Sequence, residues 1–280
     1  MSAAQISITS WNVNGIRARA ERLASFLDRT PPDVLLLQET KCNPEQVPAE
    51  LFTSRGYEWE AIGAGGRNGV LIASRIGLTE PTLGLPPTVA AAARIITAHL
   101  AEAGDPDLMD EPRLIAAHCG GIQIASVYVP NGREVASGYW RAKLRWMEAL
   151  KTWSEASIAA APLILGGDFN VAPSDADVWD PAALIGATHV SQEERAAFTA
   201  MLDAGVIDSA RALAPDGEPP AFTWWDYRGG AFHRGHGMRI DLLLASPSAG
   251  SLISYSVDRD ERKGSLPSDH APITLTLQPS

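Results

Sequence analysis

Residues 31–41 read PPDVLLLQETK, and this stretch decides the architecture. Two prolines end whatever helix precedes them, because proline supplies no backbone N–H and fixes φ. Val34–Leu37 is then an unbroken apolar run, too short for a helix and typical of a strand covered on both faces. It ends abruptly in Gln38-Glu39, which leaves a carboxylate at the carboxyl end of a buried strand. The same grammar recurs outward. Ile6–Trp11 alternates at period two before Asn12 and Asn14, and Val70–Ala73, Ile122–Val129, Leu163–Leu165, Ile240–Ala245 and Ile273–Leu277 predict further strands. Ile16–Asp28 carries Ile16, Leu23, Phe26 and Leu27 at helical spacing. Ser137–Glu155 does so with Tyr139, Trp140, Leu144, Met147 and Leu150, and Glu193–Ala204 is a third helix. Strands and helices alternate without a low-complexity linker, which predicts a single layered α/β domain over residues 1–280.

One segment breaks the rhythm. Leu83–Glu111 opens on a Pro-rich turn, continues as TVAAAARIITAHLAEAG and ends in acidic GDPDLMDE. Thr88 is placed to N-cap a helix with apolar positions Val89, Ala92, Ile96, Leu100 and Ala103, and Gly104 to end it. The segment reads as an insertion of amphipathic helix, its acidic tail turned away from any phosphate.

The chain has 280 residues, 45% of them hydrophobic and 20% charged, the usual balance of a globular protein with a full core. No run approaches the ~20 apolar residues of a membrane span, and the start MSAAQISITS lacks a basic and then apolar leader, so secretion is not expected. Cys42 and Cys119 cannot form a disulfide framework and suit a reducing cytoplasm. The net charge of −10 argues against broad nucleic-acid affinity. However, 19 of the 23 basic residues are Arg, the better bidentate phosphate partner. Charge alone therefore neither supports nor excludes a DNA substrate.

Chemistry lies in where polar residues fall. Asn12, Glu39, Tyr128, Asp168 and Asn170 follow apolar runs, Asp241 lies within MRIDLLLA, and Asp269-His270 precedes the last strand. One such residue is commonly a turn former, but six recurrences point to a shared crevice. Carboxylates and amides without Cys clusters suit a hard ion, Mg²⁺ or Mn²⁺, rather than zinc. Such an ion typically works on phosphate oxygens. His270 would be half of an acid/base pair, with Asp241 able to orient its ring. Neither a G-x-S-x-G elbow nor a phosphate loop occurs.

The strings WNVNGIRAR (11–19), LLLQETK (35–41), GRNGV (66–70), YVPNG (128–132), GGDFN (166–170), FTWWDYR (222–228), GMRIDLLLAS (237–246) and PSDHAP (267–272) together resemble the exonuclease III family of AP endonucleases. Eight motifs in order form a specific signal. The resemblance implies a four-layer α/β sandwich, two mixed sheets packed face to face with helices outside. It also implies Mg²⁺-dependent cleavage of double-stranded DNA 5′ to abasic sites, with trimming of blocked or ordinary 3′ ends. Glu39 would be the principal metal ligand, and the ion's surroundings would be drawn from Asn12, Glu39, Asp168, Asn170, Asp269 and His270. Asp168 would activate water or protonate the leaving oxygen, and Asn170 would hold the nucleophile. Tyr128 would donate to the phosphate, and Asp241 would pair with His270. Trp224 and Met238 would wall a pocket for a base-less sugar. Arg67, Asn68, Lys143 and Arg228 would meet DNA phosphates.

Two other classes share parts of this pattern. A hydrolase of inositol phosphates or sphingomyelin would keep GDFN and SDH, whereas WNVNG, YVPNG and TWWDYR favour DNA. A damage-binding module without catalysis would lack a ligand or base, and Glu39, Asp168, Asn170, Asp241 and His270 are all present. The expectation is a monomeric enzyme of the cytoplasm, associated with the nucleoid.

Overall fold

The computed structural model describes residues 4–215 and 218–280. Among the described residues, twelve strands form two six-stranded mixed sheets, accompanied by seven α-helices. The first half of the chain runs β1 (Ile6–Asn12), α1 (Ala20–Arg29), β2 (Val34–Gln38), α2 (Glu50–Thr53), β3 (Glu58–Ile62), β4 (Val70–Ser74), β5 (Thr79–Leu83), α3 (Pro87–Ile96), β6 (Leu114–Cys119) and β7 (Ile122–Tyr128). The second half runs α4 (Gly138–Ala160), β8 (Leu163–Asp168), α5 (Gln192–Asp203), β9 (Ile207–Asp208), α6 (Ser209–Leu213), α7 (Ala231–Arg234), β10 (Asp241–Ala245), β11 (Ser251–Val257) and β12 (Ile273–Gln278). One sheet has the order β11-β12-β1-β2-β4-β3 and the other β5-β6-β7-β8-β10-β9; only β1/β2 and β7/β8 are parallel.

The sheets pack face to face. Ile8, Val34, Leu36 and Ile72 of one meet Ile115, Ile124, Ile164 and Leu243 of the other in a shared core. The outer face of the first sheet is covered by α1 and α2 through Leu23, Phe26, Leu51 and Phe52. That of the second is covered by α4 and α5 through Trp146, Leu150, Phe198 and Met201. This is the expected four-layer sandwich. The double glycine before Asp168 has a steric cause. A Cβ on Gly166 would lie 2.5 Å from Leu36 of the opposite sheet, and one on Gly167 would lie 1.9 Å from the Val127 carbonyl oxygen. No side chain fits at Gly166, where the sheets close up, or at Gly167, against the neighbouring strand β7.

Residues 83–111, expected as an insertion, fold differently from their sequence reading. Proline, not Thr88, starts the helix: Pro86 is the N-cap and Pro87 the first helical residue, a position where its missing N–H costs nothing. The helix ends at Ile96 rather than Ala103. Its buried face is Ala90 and Ala93, joined by Leu85, Leu108 and Met109, while Ile96 is 53% exposed. Small residues win because α3 lies close on α4, where larger side chains would hold the helices apart. The acidic tail is also neutralised rather than free. Asp105 pairs with Arg141, Asp107 and Asp110 pair with Arg94, and Glu111 pairs with Arg113. Among the described residues, no helix is long and apolar enough to cross a membrane.

Candidate active site

Six strand ends meet at one end of the sandwich. β1, β2, β7 and β8 deliver Asn12, Glu39, Tyr128 and Asp168 at or just beyond their carboxyl ends. β10 and β12 run antiparallel to β8 and β1, so Asp241 and His270 arrive from amino ends. Both sheets therefore contribute, and the site is a seam between them rather than the crevice of one open sheet.

Glu39, Asp168 and His270 each direct one ligand atom to a common point, all within 4.8 Å of one another. Asn12 Nδ2 donates to Glu39 Oε1 at 2.9 Å and to Asp168 Oδ2 at 3.0 Å, tying the two carboxylates together. His270 Nδ1 lies 2.9 Å from Asp241 Oδ2, which leaves Nε2 facing Asp168 Oδ2 at 3.7 Å. Burial pushes the Asp168 carboxyl upward, and the Asp241 and Glu39 carboxylates add to that push against the pull of His270. His270 is raised in spite of burial because Asp241 and Asp168 face it. Burial, with the nearby Glu39 and Asp168 charges, keeps the Tyr128 hydroxyl protonated far above neutral pH.

Two converging carboxylates with surplus negative charge, next to an imidazole fixed through its other nitrogen, fit a hard divalent cation. Glu39 and Asp168 would hold it. Asn12 serves these ligands more directly than the ion, since its Oδ1 accepts the Asn14 N–H at 3.0 Å. Asp269 accepts from Asn14 Nδ2 and Trp224 Nε1 at 2.9 and 3.1 Å, which holds its charge at the margin of the cluster.

The backbone is bent to achieve this. Asn14, Glu39, Lys41, Asn68 and Asn170 all have positive φ, between 48° and 54°. Such conformations cost about 1–3 kcal/mol each and gather at functional sites. Glu39 also pairs with Lys41 at 2.7 Å.

Trp224 and Met238 lie across from one another in a small apolar cluster with Val178 and Ile240, beside the His270 ring. Adjacent tryptophans split as alternation requires, with Trp225 fully buried. Arg67 is exposed, and the Arg228 side chain is 93% exposed. Asn68 is buried and donates to Glu111 Oε2 at 3.0 Å, so its amide is already engaged. Through Glu111, Arg113 and the Tyr128 ring 4.8 Å below Arg113, the end of the insertion reaches the back of the site, contrary to its expected remoteness.

Lys143 requires a correction. Sequence places it on the surface against DNA, but its side chain is wholly buried, paired with Glu194 and donating to the Asn170 carbonyl at 2.6 Å. His189 Nδ1 meets the same carbonyl at 2.5 Å. Helix periodicity put Lys143 one position from the apolar stripe and gave no hint of a buried partner fifty residues away. Thr223 was missed altogether. Its hydroxyl donates to Asp241 at 2.6 Å and accepts from the Ile240 and Asp241 N–H groups, fixing the partner of His270. The only sequence signal was its place in FTWWDYR.

A sandwich of this kind, with carboxylates and a paired histidine at the seam between its sheets, defines the class of phosphoester hydrolases built on two facing sheets. This chain belongs to the endonuclease/exonuclease/phosphatase family, whose pattern matches residues 9–270. An exodeoxyribonuclease from Bacillus subtilis is 32% identical over 277 residues, covering 97% of this chain and 99% of that protein. Recombination repair protein 1 of Drosophila melanogaster is 31% identical over 96% of this chain, which spans only 37% of that protein's length. A 3′–5′ exonuclease from Neisseria meningitidis superposes with a TM-score of 0.86 at 36% identity, covering 98% of this chain and 100% of that one. An AP endonuclease from Archaeoglobus fulgidus superposes with a TM-score of 0.85 at 32% identity, covering 97% and 99%.

Proposed function

We propose that the chain is a divalent-metal-dependent DNA-repair nuclease that hydrolyses backbone phosphodiesters 5′ to abasic sites and processes 3′ ends. The convergence of Glu39, Asp168 and the Asp241–His270 pair beside Tyr128 carries this reading. Glu39 and Asp168 would hold Mg²⁺, or Mn²⁺ in its place, and the bound ion would supply charge neutralisation for the phosphate and its leaving oxygen. The protein's own groups supply the rest. Tyr128, kept protonated, donates to a phosphate oxygen. His270, kept charged by Asp241, donates from Nε2 to another. Asp168 is placed to hold the attacking water and take its proton. The Asn170 backbone N–H donates to Asp168 Oδ1 at 2.9 Å, while its side-chain amide donates to the Val129 carbonyl at 2.9 Å and accepts from Asn131 Nδ2 at 3.2 Å. Trp224 and Met238 wall a recess for a sugar without a base, the nucleotide most cheaply turned out of a duplex. The enzyme acts as a monomer on chromosomal DNA in the cytoplasm.

A second emphasis, 3′-end processing over abasic cleavage, is favoured by the Neisseria structures. At 36% identity one is described as a 3′–5′ exonuclease and another as a 3′ phosphatase bound to a product DNA hairpin. One assay separates these readings. The protein is incubated, with and without Mg²⁺, with duplexes carrying an internal abasic analogue, a recessed 3′-hydroxyl or a 3′-phosphate, and with an inositol phosphate. Mg²⁺-dependent cleavage of the abasic duplex is expected. Turnover confined to 3′ ends selects the second emphasis, and turnover of the inositol phosphate alone overturns both.

A further inference from the structure

Trp179 is a large aromatic side chain left 38% exposed close to the apolar recess. It is stacked on His236, with ring centroids 3.8 Å apart and planes within 10°. An exposed ring and a half-buried one seldom lie so flat against one another unless the backbone holds them, and here it does. The Trp179 N–H donates to the Gly237 carbonyl at 3.0 Å, and the preceding Val178 bridges to Met238, a wall of the recess. One residue further back, Asp177 takes the Arg239 guanidinium at 2.6 Å in a fully buried ion pair, while the Arg239 N–H donates to the Asp177 carbonyl. The loop carrying His236 is pressed equally hard against the core. A Cβ on Gly237 would lie 2.4 Å from the Trp225 indole nitrogen, so only glycine lets the loop seat there. Both rings are thus held in place before any ligand arrives.

We propose that the Trp179–His236 pair is a stacking platform for a nucleobase of the DNA next to the processed nucleotide. The inference rests on DNA being the substrate and adds a subsite that reads the neighbour rather than the reacting group. A flat indole backed by a second ring offers a π-face, which suits a base and does nothing for a phosphate. Exposed Arg234 at the end of α7, just before this loop, and Arg228 nearby in sequence supply the positive rim that a DNA backbone requires. Because the platform is rigid, a base stacking on it loses little to ordering of the protein. Every base has a π-face, so the contact is tolerant of sequence.

The test uses Asp168→Asn chain with Mg²⁺, so that DNA is bound and not cut. Its ligand is a duplex with an abasic analogue and the fluorescent base 2-aminopurine beside it. Trp179→Ala should weaken binding about tenfold, the scale of one lost base stack, and abolish the change in 2-aminopurine emission on binding. Trp179→Phe, which keeps a π-face, should recover most of both, and His236→Ala should fall between. The slope of affinity against salt should stay as in the parent, since no phosphate contact is removed. Unchanged affinity and emission in Trp179→Ala, or a changed salt slope, overturns the platform. Failure of the parent to bind this DNA at all overturns the functional reading instead.

Discussion

Asp168 and Asp241 are direct partners in the antiparallel pairing of β8 with β10, and His270 reaches both, 2.9 Å from Asp241 and 3.7 Å from Asp168. Residues directly opposite in such a ladder point to the same face. Two carboxylates held there would repel one another, and the imidazole between them turns that repulsion into its own charge. Asp241, fully engaged by Thr223 and His270, cannot leave; Asp168, equally buried, is turned toward Glu39 and His270 Nε2, where their ligand atoms converge. The geometry gives one carboxylate a structural task and the other a chemical one.

That division predicts non-additive losses. Asp241→Asn and His270→Ala should each lower kcat by roughly 10²–10⁴, and the double variant should lose little more than the worse single change, because the two act as a unit. Single-turnover cleavage of abasic duplex measures this. Losses that multiply would mean that Asp241 and His270 work separately.

Glu39→Gln should fold and fail. Replacing one of the two converging carboxylates should lower the rate at limiting Mg²⁺ by on the order of 10²–10³, with partial recovery at high Mg²⁺. Binding to the native state alone raises Tm, so added Mg²⁺ should raise the parental Tm and require a much higher concentration to do so in the variant. Equal Mg²⁺ responses in the two proteins would remove Glu39 from the ion's site.

Most of this site could be read from sequence because its members follow strand signals. An apolar run that stops at a carboxylate, as VLLLQE and LILGGD do, announces both the strand and the group it delivers. Residues whose meaning depends on a distant partner stayed hidden. Thr223 acts on Asp241 across 18 residues, and Lys143 meets Glu194 across 51. Strands at sheet margins were lost for a related reason. β5 and β11 are mostly exposed or half-buried and carry little apolar patterning, and β9 has only two residues. In the insertion the helix was legible but not its buried face, since contact with α4 selects alanine and hydropathy selects isoleucine.

Lys143 offers the sharpest contrast between surface and core. Lys143→Met leaves Glu194 buried and unpaired, which should cost about 3–5 kcal/mol and lower Tm by many degrees. Adding Glu194→Leu should restore much of that loss, since a buried pair replaced by apolar groups is often close to neutral. Thermal unfolding of the single and double variants decides it. A Lys143→Met chain with parental Tm and weakened DNA binding would return this residue to the DNA surface.

The insertion is pinned at Asp105, whose carboxylate grips Arg141 of α4 through two bonds of 2.7 and 2.8 Å and accepts the Glu102 N–H at 3.0 Å. The Arg141 guanidinium and that backbone donor hold its pKa down to about 2. A carboxyl lowered on folding stabilises fully above its unfolded value of about 3.9 and loses that contribution as pH falls through the folded value. Asp105→Asn should therefore have a lower Tm than the parent at pH 7, by an amount that stays constant down to about pH 5. The gap should close between about pH 4 and pH 2, as the parental carboxylate is protonated and the two side chains become nearly equivalent. Calorimetric scans across this range follow the gap directly. A difference that persists unchanged to pH 2 would mean that shape, and not charge, anchors the insertion to α4.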